Sequence, residues 1–502
     1  MVNKKILLLH PVGQKFYLNS RRQIHQTFDH LGLGSLASFL EKNDIEVVVE
    51  YLKMSSKELD DLLVSIEKEQ YSLVGIPVTQ PAIHAVIDFA KQLKNKVPDV
   101  HITIGGHFPT AAHDLLLRDY QCFDSVIRGE GEFPLLTLAR QILNKTFDFS
   151  QVPGLTYRQN GKVKSTSAPK RIENLDELPF LQRKNFDHLY MYSSRGCPFN
   201  CSYCSISHFY NNTGCRYRSA KHIVAEMSEL YFNNGCRSFV FNDDNFIPPG
   251  SVGIKRVEEF CLEIKAQGLK DINISLMMVP PSITEEIITP LFEVGLRTFF
   301  TGIESASKAS LKRLNKATTP EINARALDIL LKYKELQIET GFIMFEPGST
   351  LSDIEENINF MKKFSEDILF YPISKLEVFY GTPVYVNLQS EGKIYGSYLN
   401  PQYDFEDKKV EWLFEVSFGL MAKWGEYIFN KTEEYAFVDN EQKFIEAFLK
   451  RKQAVKFIIK LLEKLLEFIK EKSIIPNIKE SILLLSLVID TDFKNFLEDL
   501  DD

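Results

Sequence analysis

The stretch Arg195-Gly196-Cys197-Pro198-Phe199-Asn200-Cys201-Ser202-Tyr203-Cys204 decides how this chain is read. It follows a short apolar run, 189–194, that has the pattern of a strand, so three thiols share one loop at a strand's end. The spacing is CxxxCxxC, with the aromatic Tyr203 just before the last cysteine. Three such thiolates can each hold one iron of a [4Fe–4S] cube whose usual complement is four cysteines, which leaves the fourth iron open. Zinc is the alternative. It needs a fourth ligand, for which Cys215 or His208 stands nearby, but zinc pairs ordinarily use CxxC.

Composition agrees with metal or redox chemistry. Seven cysteines are an odd count, and three fall within eight positions, which argues against a disulfide framework. The chain has 502 residues, 44% hydrophobic and 25% charged, the profile of a globular protein of several domains. A formal charge of −8 argues against a broad nucleic-acid-binding face. No apolar run approaches the roughly 20 residues of a membrane span. The N-terminal run Ile6–Leu9 is too short for a secretory signal, whose apolar stretch is about 7–15 residues. The expectation is a cytoplasmic protein with no transmembrane segment and no nucleic-acid partner.

Working outward toward the N-terminus, β-branched apolar runs recur at 5–9, 45–50, 72–76, 100–104 and 123–127. Amphipathic stretches at 33–42, 56–69, 83–94, 111–117 and 133–143 separate them. Five such pairs predict a doubly wound, Rossmann-like parallel sheet over 1–150, with ligands beyond the strands' carboxyl ends. Those ends carry His10-Pro11-Val12-Gly13, Thr79-Gln80, Gly105-Gly106-His107 and Gly129-Glu130-Gly131-Glu132. Glycines there let a ligand approach the backbone, and Thr79 and Gln80 supply hydrogen bonds; ordinary turn chemistry is the competing reading for any one loop. None is a phosphate-binding GxGxxG.

The cysteine motif and its context resemble the radical S-adenosylmethionine (SAM) superfamily. Together with the first domain, whose Gly-Gly-His-Phe-Pro-Thr and Gly-Glu-Gly-Glu stretches are family-like, the chain resembles the cobalamin (B12)-binding subfamily over roughly residues 1–400. The resemblance implies that Cys197, Cys201 and Cys204 bind a [4Fe–4S] cluster and that SAM chelates its open iron. It further implies cleavage of SAM to a 5′-deoxyadenosyl radical that abstracts a substrate hydrogen, with an electron donor such as flavodoxin or ferredoxin. Tyr203 then belongs to the SAM site. Gly105, Gly106, His107, Gly129, Glu130 and Gly131, with Thr79 and Gln80, become candidates for cobalamin contacts. Subfamily members commonly bind cobalamin without a protein lower ligand. The Asp of the Asp-x-His-x-x-Gly ligand motif is Leu8 here, so His10 lacks the partner a metal-bound imidazole usually has, and the expectation is that it does not ligate cobalt.

A partial (β/α)6 barrel over 189–399 needs five further strands, and 237–242, 272–277, 296–302, 338–345 and 374–379 fit, with helices between them. The second strand ends in Asn242-Asp243-Asp244-Asn245. One of Asp243 and Asp244 resembles the group facing the SAM ammonium, with turn capping as the alternative. Glu304, ending the fourth strand, resembles the family's ribose-contacting acid, with a helix-terminal charge as the alternative. The fifth strand, 341–350, resembles the adenine-contacting strand but lacks the usual glycine near Phe345. Arg195 and Phe199 read as packing and loop-orienting groups.

Between the domains, 151–188 reads as a linker or small hairpin. From 400 to 502 the chain predicts a C-terminal helical cap, with helices over 444–449, 455–469 and 482–489 and an acidic end that frays. The favoured activity is methylation of an unactivated carbon of a small-molecule or natural-product substrate, with methylcobalamin as donor. The alternatives are a non-methylating radical enzyme doing cyclisation, ring contraction or rearrangement, and a binding protein without catalysis. No catalytic residue beyond the cofactor groups is assignable from the sequence.

Overall fold

Alternation of apolar residues along β1 (Lys5–Val12) sends Leu7 and Leu9 into one core and Ile6 and Leu8 into another, so the strand is buried on both faces. The computed structural model describes residues 5–12, 30–53, 56–183, 189–210, 214–433 and 441–486. The chain divides into two compact units. Unit 1 comprises 1–248, 258–274 and 378–402; unit 2 comprises 249–257, 275–377 and 403–502.

In unit 1, β1 is joined by β2 (Glu46–Lys53), β3 (Leu73–Pro77), β4 (His101–Gly105), β5 (Ser125–Ile127), β6 (Leu155–Gln159) and β7 (Lys162–Ser165). The order is β2-β1-β3-β4-β5-β6-β7. The first five are parallel, the α/β doubly wound sheet read from the sequence. Helices Leu31–Glu41 and Glu132–Leu143 cover one face, and Ser56–Glu69, Ile83–Lys96 and His107–Asp119 the other. The stretch read as linker or hairpin adds β6 and β7 antiparallel to β5. The same unit holds β8 (Leu189–Met191), β9 (Ser194–Arg195), β10 (Arg216–Tyr217) and β11 (Ser238–Phe241). β11 pairs parallel to β8, and β10 antiparallel to β9.

β12 (Asn273–Met277) straddles the unit boundary. In unit 2, β13 (Leu296–Glu304), β14 (Gln337–Phe342) and β15 (Ile368–Leu369) are parallel neighbours. Helices Glu285–Glu293, Pro320–Leu330 and Leu351–Phe364 alternate with them. The last strand differs from the reading. The structure pairs 368–369 with β14 rather than 374–379, and only an isolated bridge joins Phe345 to Lys375. Pro372, which has no N–H to donate, interrupts the run between them. The C-terminal region is helical, in two long helices, Lys408–Glu433 and Glu441–Glu471. A further helical stretch, 478–486, covers most of the expected 482–489 helix; 487–489 and the acidic tail lie outside the described residues.

Candidate active site

The cysteine loop turns at Gly196, whose φ is 90° and where a Cβ would lie 2.7 Å from the Gly214 carbonyl oxygen. Only glycine fits this approach. The Cys204 amide donates to the Cys201 carbonyl (3.2 Å), closing the turn that carries Tyr203. Burial pushes the Cys197 thiol up to about 11 and Cys204 to about 12, so a metal rather than water is the partner that would draw off their protons. Among the described residues no three His, Cys, Asp or Glu side chains are placed around one metal ion. A cube puts each thiolate on a different iron, so this spacing fits a cluster better than zinc. Cys215 donates its S–H to the Gly196 carbonyl (2.9 Å), and burial pushes its thiol up to about 11. Cys122, Cys236 and Cys261 are buried.

The two adjacent aspartates do different work. Asp243 is 2% exposed and accepts four hydrogen bonds, from Ser193 N and Oγ (2.7 and 2.9 Å) and Ser194 N and Oγ (2.6 and 2.9 Å). Its oxygens are consumed in shaping the strand that leads into the cysteine loop. Asp244 accepts one bond, from the Gly196 amide (3.1 Å), and lines a cavity. Burial, then Asp243, raises its carboxyl to about 6.

That cavity, of about 320 Å³, lies wholly within unit 1. Gly105, Gly106, His107, Gly129, Glu130 and Gly131 form part of its wall. Tyr192, Arg195, Phe209, Tyr210 and Asp244, from around the cysteine loop, form another part. Gly106 has φ of 103°, and a Cβ there would crowd the Val78 carbonyl at 3.3 Å, so the bare backbone at the β4 end is enforced. Thr79 and Gln80 do not line it. Gln80 Oε1 instead accepts from the Tyr380 amide (2.8 Å), and Thr79 precedes a short 3-10 turn. His30, Tyr192 and Tyr210 were not singled out in the sequence, where they carry no motif.

The glutamates of Gly-Glu-Gly-Glu reach the cysteine loop. Arg195 Nη1 donates to Glu130 Oε1 (2.8 Å) and Nη2 to Glu132 Oε1 (2.6 Å). Arg216 Nη1 donates to Glu130 Oε2 (2.7 Å), and Ser35 Oγ to Glu132 Oε1 (2.7 Å). Burial alone would raise Glu132, but Arg195 and Ser35 outweigh it and hold the carboxyl below its usual range. His107 makes a second tie. Its Nδ1 lies 3.2 Å from Ser205 Oγ, and its ring stacks on Phe209 at 4.2 Å. Burial lowers its pKa to about 4, so it is neutral at pH 7.

In unit 2, Glu304 ends β13 with φ of 61°, at a register shift against β14, and pairs with Lys316 at 2.9 Å. A strained carboxylate at a strand's carboxyl end is a common mark of a functional position.

A doubly wound sheet whose glycine loops share a cavity with a CxxxCxxC loop defines a radical SAM enzyme that also binds cobalamin. The chain belongs to that family: residues 191–361 match the Radical SAM superfamily and residues 21–139 the B12 binding domain. Its cofactors are accordingly a [4Fe–4S] cluster, SAM and cobalamin. It is 31% identical over 389 residues to an uncharacterized methyltransferase of Pyrococcus horikoshii, covering 74% of this chain and 80% of that one. It is 26% identical over 381 residues to the anaerobic magnesium-protoporphyrin IX monomethyl ester cyclase of Rubrivivax gelatinosus, covering 72% and 66%. The cobalamin-dependent SAM radical enzyme OxsB, solved with aqua-cobalamin and SAM, superposes with a TM-score of 0.75 at 18% identity, covering 99% of this chain and 78% of that one; at that identity the likeness concerns fold. No helix among the described residues is long and apolar enough to cross a membrane.

Proposed function

We propose that this chain is a cobalamin-dependent radical SAM methyltransferase that methylates an unactivated carbon of a small-molecule or natural-product substrate. The observation that carries this reading is the single cavity walled both by the glycine loops of the doubly wound sheet and by residues around the cysteine loop. When bound, the cluster with SAM supplies hydrogen-atom abstraction and the corrin supplies a methyl group. In this reading Cys197, Cys201 and Cys204 hold the cluster, beside Tyr203. Asp244, with acceptor capacity to spare, takes the SAM ammonium, while Asp243 holds the strand in place. Glu304 accepts from ribose hydroxyls. Gly105, Gly106, His107, Gly129 and Gly131 leave room for the corrin, and Tyr192, Phe209 and Tyr210 keep water from the reacting groups. A flavodoxin or ferredoxin supplies the electron.

The methyltransferase relative favours methylation, and the cyclase relative keeps a non-methylating radical reaction as the second reading. Anaerobic reconstitution with iron, sulfide and hydroxocobalamin, followed by reduction in the presence of SAM and mass spectrometry, separates them. Methyl transfer gives S-adenosylhomocysteine together with 5′-deoxyadenosine. 5′-Deoxyadenosine alone, formed with turnover of a substrate that gains no methyl mass, favours the second reading and sinks the first.

A further inference from the structure

We propose that Glu130, Glu132, Arg195 and Arg216 form a positioning clamp that couples the cobalamin side of the cavity to the cluster loop, and that the two glutamates are not corrin contacts. Glu130 spends one carboxylate oxygen on each arginine, and its Oε2 also accepts from the Ile172 amide (3.3 Å). Glu132 spends Oε1 on Arg195 and Ser35. The side chains are 4 to 12% exposed, and two carboxylates balance two guanidiniums, so the group is closed in charge. Arg195 forks between the two glutamates, a geometry lysine cannot reproduce.

The position of the clamp gives it its consequence. Arg195 stands two residues before Cys197, and Arg216 lies opposite it on the paired strand β10. Glu130, in the loop after β5, and Glu132, the first residue of the helix Glu132–Leu143, flank Gly131 on the cavity wall. Each guanidinium also lies over an aromatic ring of that wall, Arg195 over Tyr192 (5.1 Å) and Arg216 over Tyr210 (5.3 Å). A loop ordered by its own cofactor therefore holds the other loop in place, and loading becomes cooperative.

The inference rests on the cavity being where the two cofactors meet, and its test keeps the two questions apart. Cobalamin is titrated by absorbance into the full chain, once with the cluster reconstituted and once after iron is removed by a chelator. The clamp predicts tighter binding to the cluster-loaded protein, by about fivefold or more. In Glu132→Gln and Arg195→Lys that ratio falls toward one. Where Glu132→Gln does not fold, Arg195→Lys, which keeps the charge and loses the fork, carries the test. Relaxation of the reduced cluster's EPR signal in the presence of cob(II)alamin gives a second readout. A role confined to folding lowers occupancy but leaves relaxation in the doubly loaded fraction unchanged, whereas a clamp that sets the relation of the cofactors changes it. A ratio of one in the unsubstituted protein, or an unchanged ratio and relaxation in both variants, overturns the clamp. Failure to bind cobalamin in either state instead overturns the reading of the cavity.

Discussion

Gly196 concentrates the demands on the cysteine loop in one residue. Its φ of 90° and the 2.7 Å approach of the Gly214 carbonyl leave no room for a methyl group. Gly196→Ala is expected to cost the loop about 1–3 kcal/mol and to lower iron and sulfide content after reconstitution severalfold; full iron content would refute the steric argument. The neighbouring aspartates give opposite predictions. Asp243→Asn presents an amide to four donors and is expected to destabilise the protein by about 1–3 kcal/mol, read as a lower melting temperature. Asp244 has its carboxyl raised from 3.8 to about 6, so its stabilising share is present below pH 3.8 and lost as pH rises through 6. Asp244→Asn is therefore expected to stabilise the cofactor-free protein at pH 7 by up to about 2–3 kcal/mol, read as a higher melting temperature, while weakening SAM about tenfold. His10 has a buried Nδ1 with no hydrogen-bond partner, and its ring lies 4.7 Å from that of His30. Without the usual second partner, it is expected to leave no nitrogen splitting in the Co(II) EPR spectrum. A splitting that disappears in His10→Ala would make it a ligand after all.

Helices and strands were legible where one period dominated. The five N-terminal strands read as short apolar runs because both faces of the sheet are buried. The sixth strand of the second sheet was misplaced because 374–379 is as apolar as a strand, but hydrogen bonding depends on Pro372. Helix Pro383–Ser390 went unread although Thr382, which caps it through the Tyr385 amide, and the following proline are a start signal. The clamp was beyond reach, since Glu130 and Arg195 are 65 residues apart and neither belongs to a periodic pattern. Only the loop-orienting role of Arg195 could be seen, and Asp243 could not be told from Asp244 without knowing which one the serines surround. Helix Lys408–Glu433 was hidden by closely spaced aromatic and charged residues. It is anchored by Trp412, fully buried and stacked on Phe468 at 5.6 Å, with its Nε1 unpartnered. Trp412→Ala is expected to cost about 3–5 kcal/mol in urea unfolding. Trp412→Phe keeps an aromatic ring and removes the orphan donor, so it should cost far less. Equal losses in the two variants would mean that ring packing is not what holds the helix.

Across the whole molecule, titration is divided unevenly between the two units. All ten histidines lie within residues 1–248, in unit 1, and both tryptophans, Trp412 and Trp424, lie in unit 2. Burial lowers His30, His101 and His107 to about 4, and burial with His30 lowers His10 to about 3. A base whose folded pKa is depressed takes up protons only on unfolding, so its contribution is present above pH 6.5 and lost as pH falls toward 4. Between pH 7 and pH 5 the loss is about 2 kcal/mol for each such histidine. Asp243 and Asp244, both raised chiefly by burial, oppose this within unit 1, but two raised carboxyls do not balance the depressed imidazoles, which also include His113 and His222. In unit 2, burial raises Glu346 and Glu377, which gain rather than lose stability as the pH falls over the same range. Acid is therefore expected to loosen unit 1 first. Tryptophan fluorescence during urea unfolding, which reports unit 2, should keep or raise its midpoint between pH 7 and pH 5. Hydrogen exchange in peptides from β1, β4 and β5 should accelerate over the same range, and His101→Gln, which keeps a polar partner for Ser125 Oγ, should flatten that dependence. If the fluorescence midpoint and the exchange rates move together with pH, the two units unfold as one, and the histidines destabilise the chain as a whole.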